Sequence, residues 1–394
     1  MLSATYNVDL DSVEDSNLFL RALWAQLRSV FGHLAWQYTP HRDGLHQRII
    51  FGVAQIGGDG PIEVSIGYGR AGCIRMITFN PLWDRKLSTD RLTDAITVAR
   101  DTFRNTSFAM ITSNFALGIS EISFATYEAK NIRLESNMAG FLDVTLGVDG
   151  FDQRDLSFQY KFRVGPILDL LTCWTNCLVR RYPDANQTGT EESEKVPANS
   201  IWVEDEEWIN GLPLVRDRVA LSTYQLSALQ AYVNGELQLT DPLIGAARHF
   251  REGLELYETH RQRGFQASGD LVRALFMSAL EVASLYGAQK APNCSQCGQA
   301  RHKISARVRE LGLKHLGSFG KDLFGEEYQD RSGFLHAGEV SSSYPVQDGS
   351  CPQLDPKSET GCAKPTSQLE AFNLREFCSF VLRNETRSRF NGPS

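Results

Sequence analysis

No stretch of this 394-residue chain approaches the roughly 18 uninterrupted apolar residues that a membrane helix requires. Its first nine residues offer neither a basic leader nor an apolar segment, so the expectation is a cytoplasmic protein with no membrane partner. A general excess of positive charge is also missing: 40 Lys and Arg stand against 47 Asp and Glu, giving a net charge of -7. Any nucleic-acid binding must therefore come from a local patch. Eight cysteines in a chain of this length are too few for a disulfide framework, and Cys173, Cys177 and Cys378 lie in apolar, helix-like surroundings where a free thiol simply packs. Phosphate-loop chemistry is excluded as well, because Gly57-Gly58-Asp59-Gly60 lacks the lysine and the following helix of a nucleotide loop. Neither a serine-hydrolase elbow nor a paired-carboxylate signature occurs.

What the chain does have is length for two domains and a change of periodicity halfway along. In residues 14–37, Leu18, Leu20, Leu23, Trp24, Leu27, Val30 and Phe31 recur at helical spacing. Two β-rich runs, 48–56 and 61–68, flank the Gly57 to Gly60 turn and predict a hairpin; 73–79 reads as a third strand. A helix is expected over 90–103 with Asp90 as its N-cap, then strands at 119–127, 141–148 and 156–162, then a helix over 166–179. The fold class is therefore α+β. A first domain of mixed helix and antiparallel strand, 1–181, is expected to sense a trigger or recruit substrate. Residues 182–221, poor in apolar side chains at their start, form the linker and docking segment. From residue 222 to 394 only helical patterns occur: 224–237, 242–261, 270–286, 303–313, 318–336 and 367–387, the last opening on a Ser367/Glu370 capping box.

The segment around which the second half is organised is 328–338, Tyr-Gln-Asp-Arg-Ser-Gly-Phe-Leu-His-Ala-Gly. Arg331 and His336 are its chemically useful residues. Five α-helical steps of about 100° place them roughly 140° apart, so a continuous helix does not aim both at one point. Either the helix ends there, with Gly338 as a left-handed cap, or two copies of the segment meet. Arg331 falls on the apolar stripe of Phe324, Tyr328 and Leu335, and an arginine facing a packed surface needs a partner. Glu281, on the preceding helix, is the expected one.

Arg331-Ser332-Gly333-Phe334-Leu335-His336 resembles the arginine, polar residue, three further residues and histidine that mark HEPN domains, helical bundles found in many prokaryotic ribonucleases of toxin and phage-defence systems. Tyr328 to Gly338 is most similar to the Apea-like HEPN group. Further similarity lies in Leu275-Phe-Met-Ser-Ala-Leu-Glu281, and in Cys294-Ser-Gln-Cys297 followed by Lys303-Ile-Ser-Ala-Arg-Val-Arg309. The resemblance covers the second half only. It implies a HEPN-like all-α bundle that pairs as a homodimer, so that both Arg/His motifs line one cleft, and a metal-independent endoribonuclease with no cofactor required for catalysis. Arg331 would stabilise the phosphate, His336 would act as acid or base, and Ser332 would position one or the other. Glu281 and Tyr328 would support them. Many members of that family carry Asn, Asp or His where this chain has Ser332, and many act as non-catalytic modules that bind RNA or a protein; that is the alternative reading. The role implied is defence or growth arrest, with a phage or host trigger acting through the first domain.

Lys303, Arg307, Arg309 and Lys314 form a basic stretch opposed only by Glu310, suited to an RNA backbone or to a solvated helix face. Cys294 and Cys297 are half of a structural zinc site, with His302, Cys351 and Cys362 as incomplete completions.

Overall fold

The computed structural model describes residues 3–32, 34–43, 47–57, 60–69, 72–83, 88–181, 213–215, 218–263, 269–287, 303–338 and 369–390. The chain is α+β and divides into two compact units, one of residues 1–111 with 147–162, the other of 112–146 with 163–394. Most of the expected linker, 182–221, lies outside the described residues.

In the first unit a five-stranded antiparallel sheet has the order β1-β5-β4-β3-β2, built from Ala4–Asn7 (β1), Leu34–Asp43 (β2), Arg48–Ile56 (β3), Pro61–Tyr68 (β4) and Ile74–Pro81 (β5). Two helices, Val13–Phe31 (α1) and Thr89–Thr102 (α2), pack with it. Phe19, Leu23 and Leu27 of α1 and Leu92, Ile96 and Ala99 of α2 share one core with Val64, Ile77 and Phe79 of the sheet. The expected hairpin and third strand are present. Residues 34–37, expected as the end of a helix, instead open β2: α1 stops at Phe31, where Gly32 takes φ 72° and donates its N–H to the Arg28 carbonyl. Ser88, not Asp90, is the N-cap of α2, and Asp90 sits in its first turn.

A second sheet, order β11-β6-β10-β9-β8, comprises Ser107–Leu117 (β6), Tyr127–Ala129 (β8), Ile132–Glu135 (β9), Phe141–Gly150 (β10) and Val179–Arg181 (β11). A small third sheet joins Ser123–Phe124 (β7), Leu214–Val215 (β12) and Arg218–Val219 (β13). Between β10 and β11 runs the 23-residue helix Gln153–Thr175 (α3), which replaces the strand expected at 156–162 and begins well before the expected start at Pro166. Along 153–164, Leu156, Tyr160 and Val164 are buried while Phe158 and Phe162 are exposed, which is helical spacing. Asp152 starts the helix by accepting the Asp155 N–H at 2.7 Å.

The second unit contains the helices Thr223–Val233 (α4), Pro242–Arg263 (α5), Gly269–Ala283 (α6), Ile304–Ser332 (α7) and Leu369–Phe390 (α8). Gln225 accepts the Ser222 N–H at 2.8 Å and so caps α4; the capping box expected at Ser367 falls outside the described residues. Helix α8 packs with α4, α5, α6 and α7, burying Leu374, Cys378, Val381 and Leu382. Two polar groups of this core are paired across it: the Trp174 indole donates to Thr386 Oγ1 at 3.2 Å, and Ser379 Oγ donates to the Cys173 carbonyl at 2.7 Å. Burial pushes the Cys177 thiol up to about 11 and Cys378 well above its usual range, so both behave as packing groups.

Candidate functional site

Helix α7 is a hairpin of two helical halves, 304–316 and 318–332. Gly317 breaks it at φ 71° and ψ -157°, a conformation open to glycine and costly for other residues. The halves can lie together because a Cβ built on Gly312 would sit 2.4 Å from the Gly320 carbonyl oxygen. Only bare backbone fits at that crossing. The Arg309 side chain lies across Gly325, and the hairpin encloses a groove of about 390 Å³ lined by Lys303, Ile304, Ser305, Ala306, Arg309 and Tyr328.

After Ser332 the helix widens into a π turn, Gly333–Ala337, which ends on Gly338 in the left-handed conformation, φ 69° and ψ 20°. The Gly338 N–H closes back on the Gly333 carbonyl, so the expected glycine cap is present. The turn changes the geometry of the motif. With two α steps and three π steps of about 82° each, the divergence of Arg331 and His336 narrows from about 140° to about 90°. Single π turns of this kind recur at functional sites. His336 stands exposed in the last turn, while Arg331 and Ser332 are half-buried. The Ser332 side chain makes no capping hydrogen bond to the turn.

Arg331 turns towards α6. Its Nη1 lies 2.7 Å from Glu281 Oε1, and its Nη2 donates to Ser278 Oγ at 3.2 Å. The expected Glu281 partner is therefore in place. The pair is close but poorly aligned: neither Glu281 Oε1 nor the buried Arg331 Nε has a hydrogen-bond partner among the described residues. Burial holds the Glu281 carboxyl above its usual range, against the opposing pull of Arg331 and Arg307. Arg307, half-buried on the first half of α7, also has a buried Nε without a hydrogen-bond partner among the described residues.

The other basic residues separate. Lys303 and Arg309 are exposed and line the groove with Tyr328. Lys314 points to α8 and meets Glu385 at 2.5 Å, beside His315 at 2.5 Å from the same oxygen. Burial would raise Glu385, but these two partners outweigh it and hold it low. Cys294 and Cys297 lie outside the described residues, and among the described residues no group of three or more His, Cys, Asp or Glu gathers as metal ligands.

Sequence reasoning missed the ionic layer below the motif. Arg273 of α6, 6 % exposed, donates to Glu327 at 2.9 Å through Nε and to Asp330 at 2.8 Å through Nη2, with Asp270 at 3.8 Å. Its signal was available, since Glu327 and Asp330 recur at helical spacing on the face that carries Arg331. Ser278 and the π turn left no comparable trace in the sequence. No protein-family model matches the chain, and no curated protein matches it in sequence.

Proposed function

We propose that the protein is a metal-independent endoribonuclease in which Arg331 and His336 act on one phosphodiester at a cleft between two paired HEPN-like bundles. The observation that supports this reading best is the π turn, which presents an exposed His336 beyond Arg331 on the hairpin that also carries the basic groove. In the reaction, the ribose 2′-oxygen attacks phosphorus and the bond to the 5′-oxygen breaks. Imidazole takes the proton from the 2′-hydroxyl or supplies one to the departing 5′-oxygen. Guanidinium offsets the charge that develops on the non-bridging oxygens. The products are a 2′,3′-cyclic phosphate and a 5′-hydroxyl. Ser332 positions one of the pair, and Lys303 and Arg309 hold the strand.

A second reading has its own observation. Arg331 contacts Glu281 and Ser278, as an arginine serving a structural ion pair would, and this favours a module that binds RNA or a protein without cutting. Purified protein is incubated with diverse end-labelled RNAs in EDTA, alongside Arg331→Ala and His336→Ala. Cleavage by the wild type alone supports the nuclease. Equal cleavage by all three would falsify the site, and RNA binding without cleavage selects the module. Light scattering reads the dimer; a monomer counts against a shared cleft.

A further inference from the structure

We propose that Arg307, Arg331 and Ser278 form a seat for a phosphodiester, and that the Glu281 carboxylate occupies this seat until RNA displaces it. The inference deepens the ribonuclease reading by naming what holds the substrate and what holds the empty site closed. It begins from an imbalance of charge. Two guanidinium groups act on one carboxylate, and each keeps a buried Nε donor with no hydrogen-bond partner among the described residues. Glu281 approaches Arg331 to 2.7 Å without hydrogen-bond alignment, so it neutralises one charge and satisfies neither fork.

A guanidinium is best satisfied by two parallel bonds to one anion, and a phosphodiester offers two non-bridging oxygens on a tetrahedral phosphorus to accept them. One such group can serve both arginines, which a single carboxylate held on α6 does not. Ser278 Oγ, already 3.2 Å from Arg331 Nη2, fixes that side of the seat. The seat is carried by the same two halves of α7 as the groove: Lys303 precedes Arg307 by one helical turn and Tyr328 precedes Arg331 by nearly one, while neither arginine lines the groove itself. Burial already disfavours the charged form of Glu281, so its charge yields readily to an incoming anion.

The test is binding of a short 2′-O-methyl RNA, which cannot be cut, followed by fluorescence anisotropy at several salt concentrations, with thermal melts to verify folding. Glu281→Gln should bind tighter by about tenfold, the scale of one charge contact. Arg307→Ala should bind more weakly by about tenfold, with a salt slope smaller by about 1. If Glu281→Gln does not fold, Glu281→Asp replaces it: its carboxylate is drawn back by one methylene, and tighter binding is again expected. Unchanged or weaker binding in the folded Glu281 variant overturns the proposal, as does unchanged binding by Arg307→Ala. Cleavage of ordinary RNA is followed in parallel. Loss of all cleavage with the binding pattern intact ends the nuclease reading and leaves the seat; cleavage dependent on His336 with unaltered binding by the Glu281 variant ends the seat alone.

Discussion

Two arginines face each other's helices across the same α6–α7 seam, and they are treated differently. Arg273 is enclosed and well matched, with Nε and Nη2 each directed at a carboxylate and three acidic residues within reach. Arg331, on α7, meets one misaligned carboxylate and Ser278 Oγ, and its Nε has no hydrogen-bond partner among the described residues. An arginine that only braces a fold gains most from full satisfaction, because an unmet buried donor lowers stability. The contrast is what the proposed function expects: Arg273 braces the fold, and Arg331 is the residue proposed to take a ligand.

The largest effect that would break this contrast concerns activity. His336→Ala should lower RNA cleavage by about 10²–10⁴-fold, the range of a lost general acid or base, with an unchanged melting temperature. Gel assays and melts check it together. Next is stability: Arg273→Ala should cost about 3–5 kcal/mol, since it removes the buried cation that both Glu327 and Asp330 face, whereas Arg331→Ala should cost no more than about 1–2 kcal/mol. Urea unfolding measures both, and equal losses would remove the distinction.

A pH series then sharpens it with a third buried pair. Burial raises Asp169 to about 6, although Arg251 at 3.3 Å pulls the other way. A carboxyl whose folded value exceeds its unfolded value of about 3.9 contributes stability that is complete below about 4 and is lost as pH rises through about 6. Relative to Asp169→Asn, the wild type should therefore lose about 2–3 kcal/mol between pH 4 and pH 8. Asp152 supplies the opposite case. Burial would raise it, but the bidentate Arg28 and the Asp155 N–H hold it low, so its contribution is lost only in acid. The smallest effect belongs to the groove: Lys303→Ala and Arg309→Ala should each reduce the salt slope of RNA binding by about 1, while Lys314→Ala, bound to Glu385, should leave it unaltered.

Much of the architecture could be read in advance where one face alone determines the pattern. The β3–β4 hairpin matches its expected limits because alternation and a glycine-rich turn agree. The later helices are legible because their apolar stripes pack on α8. Misreadings arose where the deciding force was a single cap or a single backbone angle. Asp152 converts an alternating run into α3, and Gly32 ends α1 in time for Trp36 and Tyr38 to enter a strand. At the site, Arg331 and Glu281 were legible as a pair because a packed arginine demands a counter-ion. Their misalignment was not, since hydrogen-bond angle depends on the approach of two helices. The π turn was equally invisible, because it closes the helix at Gly338 and no apolar stripe continues beyond it to show the shift in spacing.

The crossing of Gly312 and Gly320 has a consequence for how the protein can change over time. A methyl group at Gly312 would press on the Gly320 carbonyl oxygen at 2.4 Å, and one at Gly320 on Leu316 Cβ at 2.4 Å and on the Gly312 carbonyl oxygen at 2.7 Å, a strain relieved by moving one arm of the hairpin away from the other. The spacing between Lys303 and Tyr328 is thus calibrated by two absent side chains some distance from the groove itself. Under the proposed function, substitutions there would alter the width of strand admitted without changing Lys303, Arg309, Arg331 or His336.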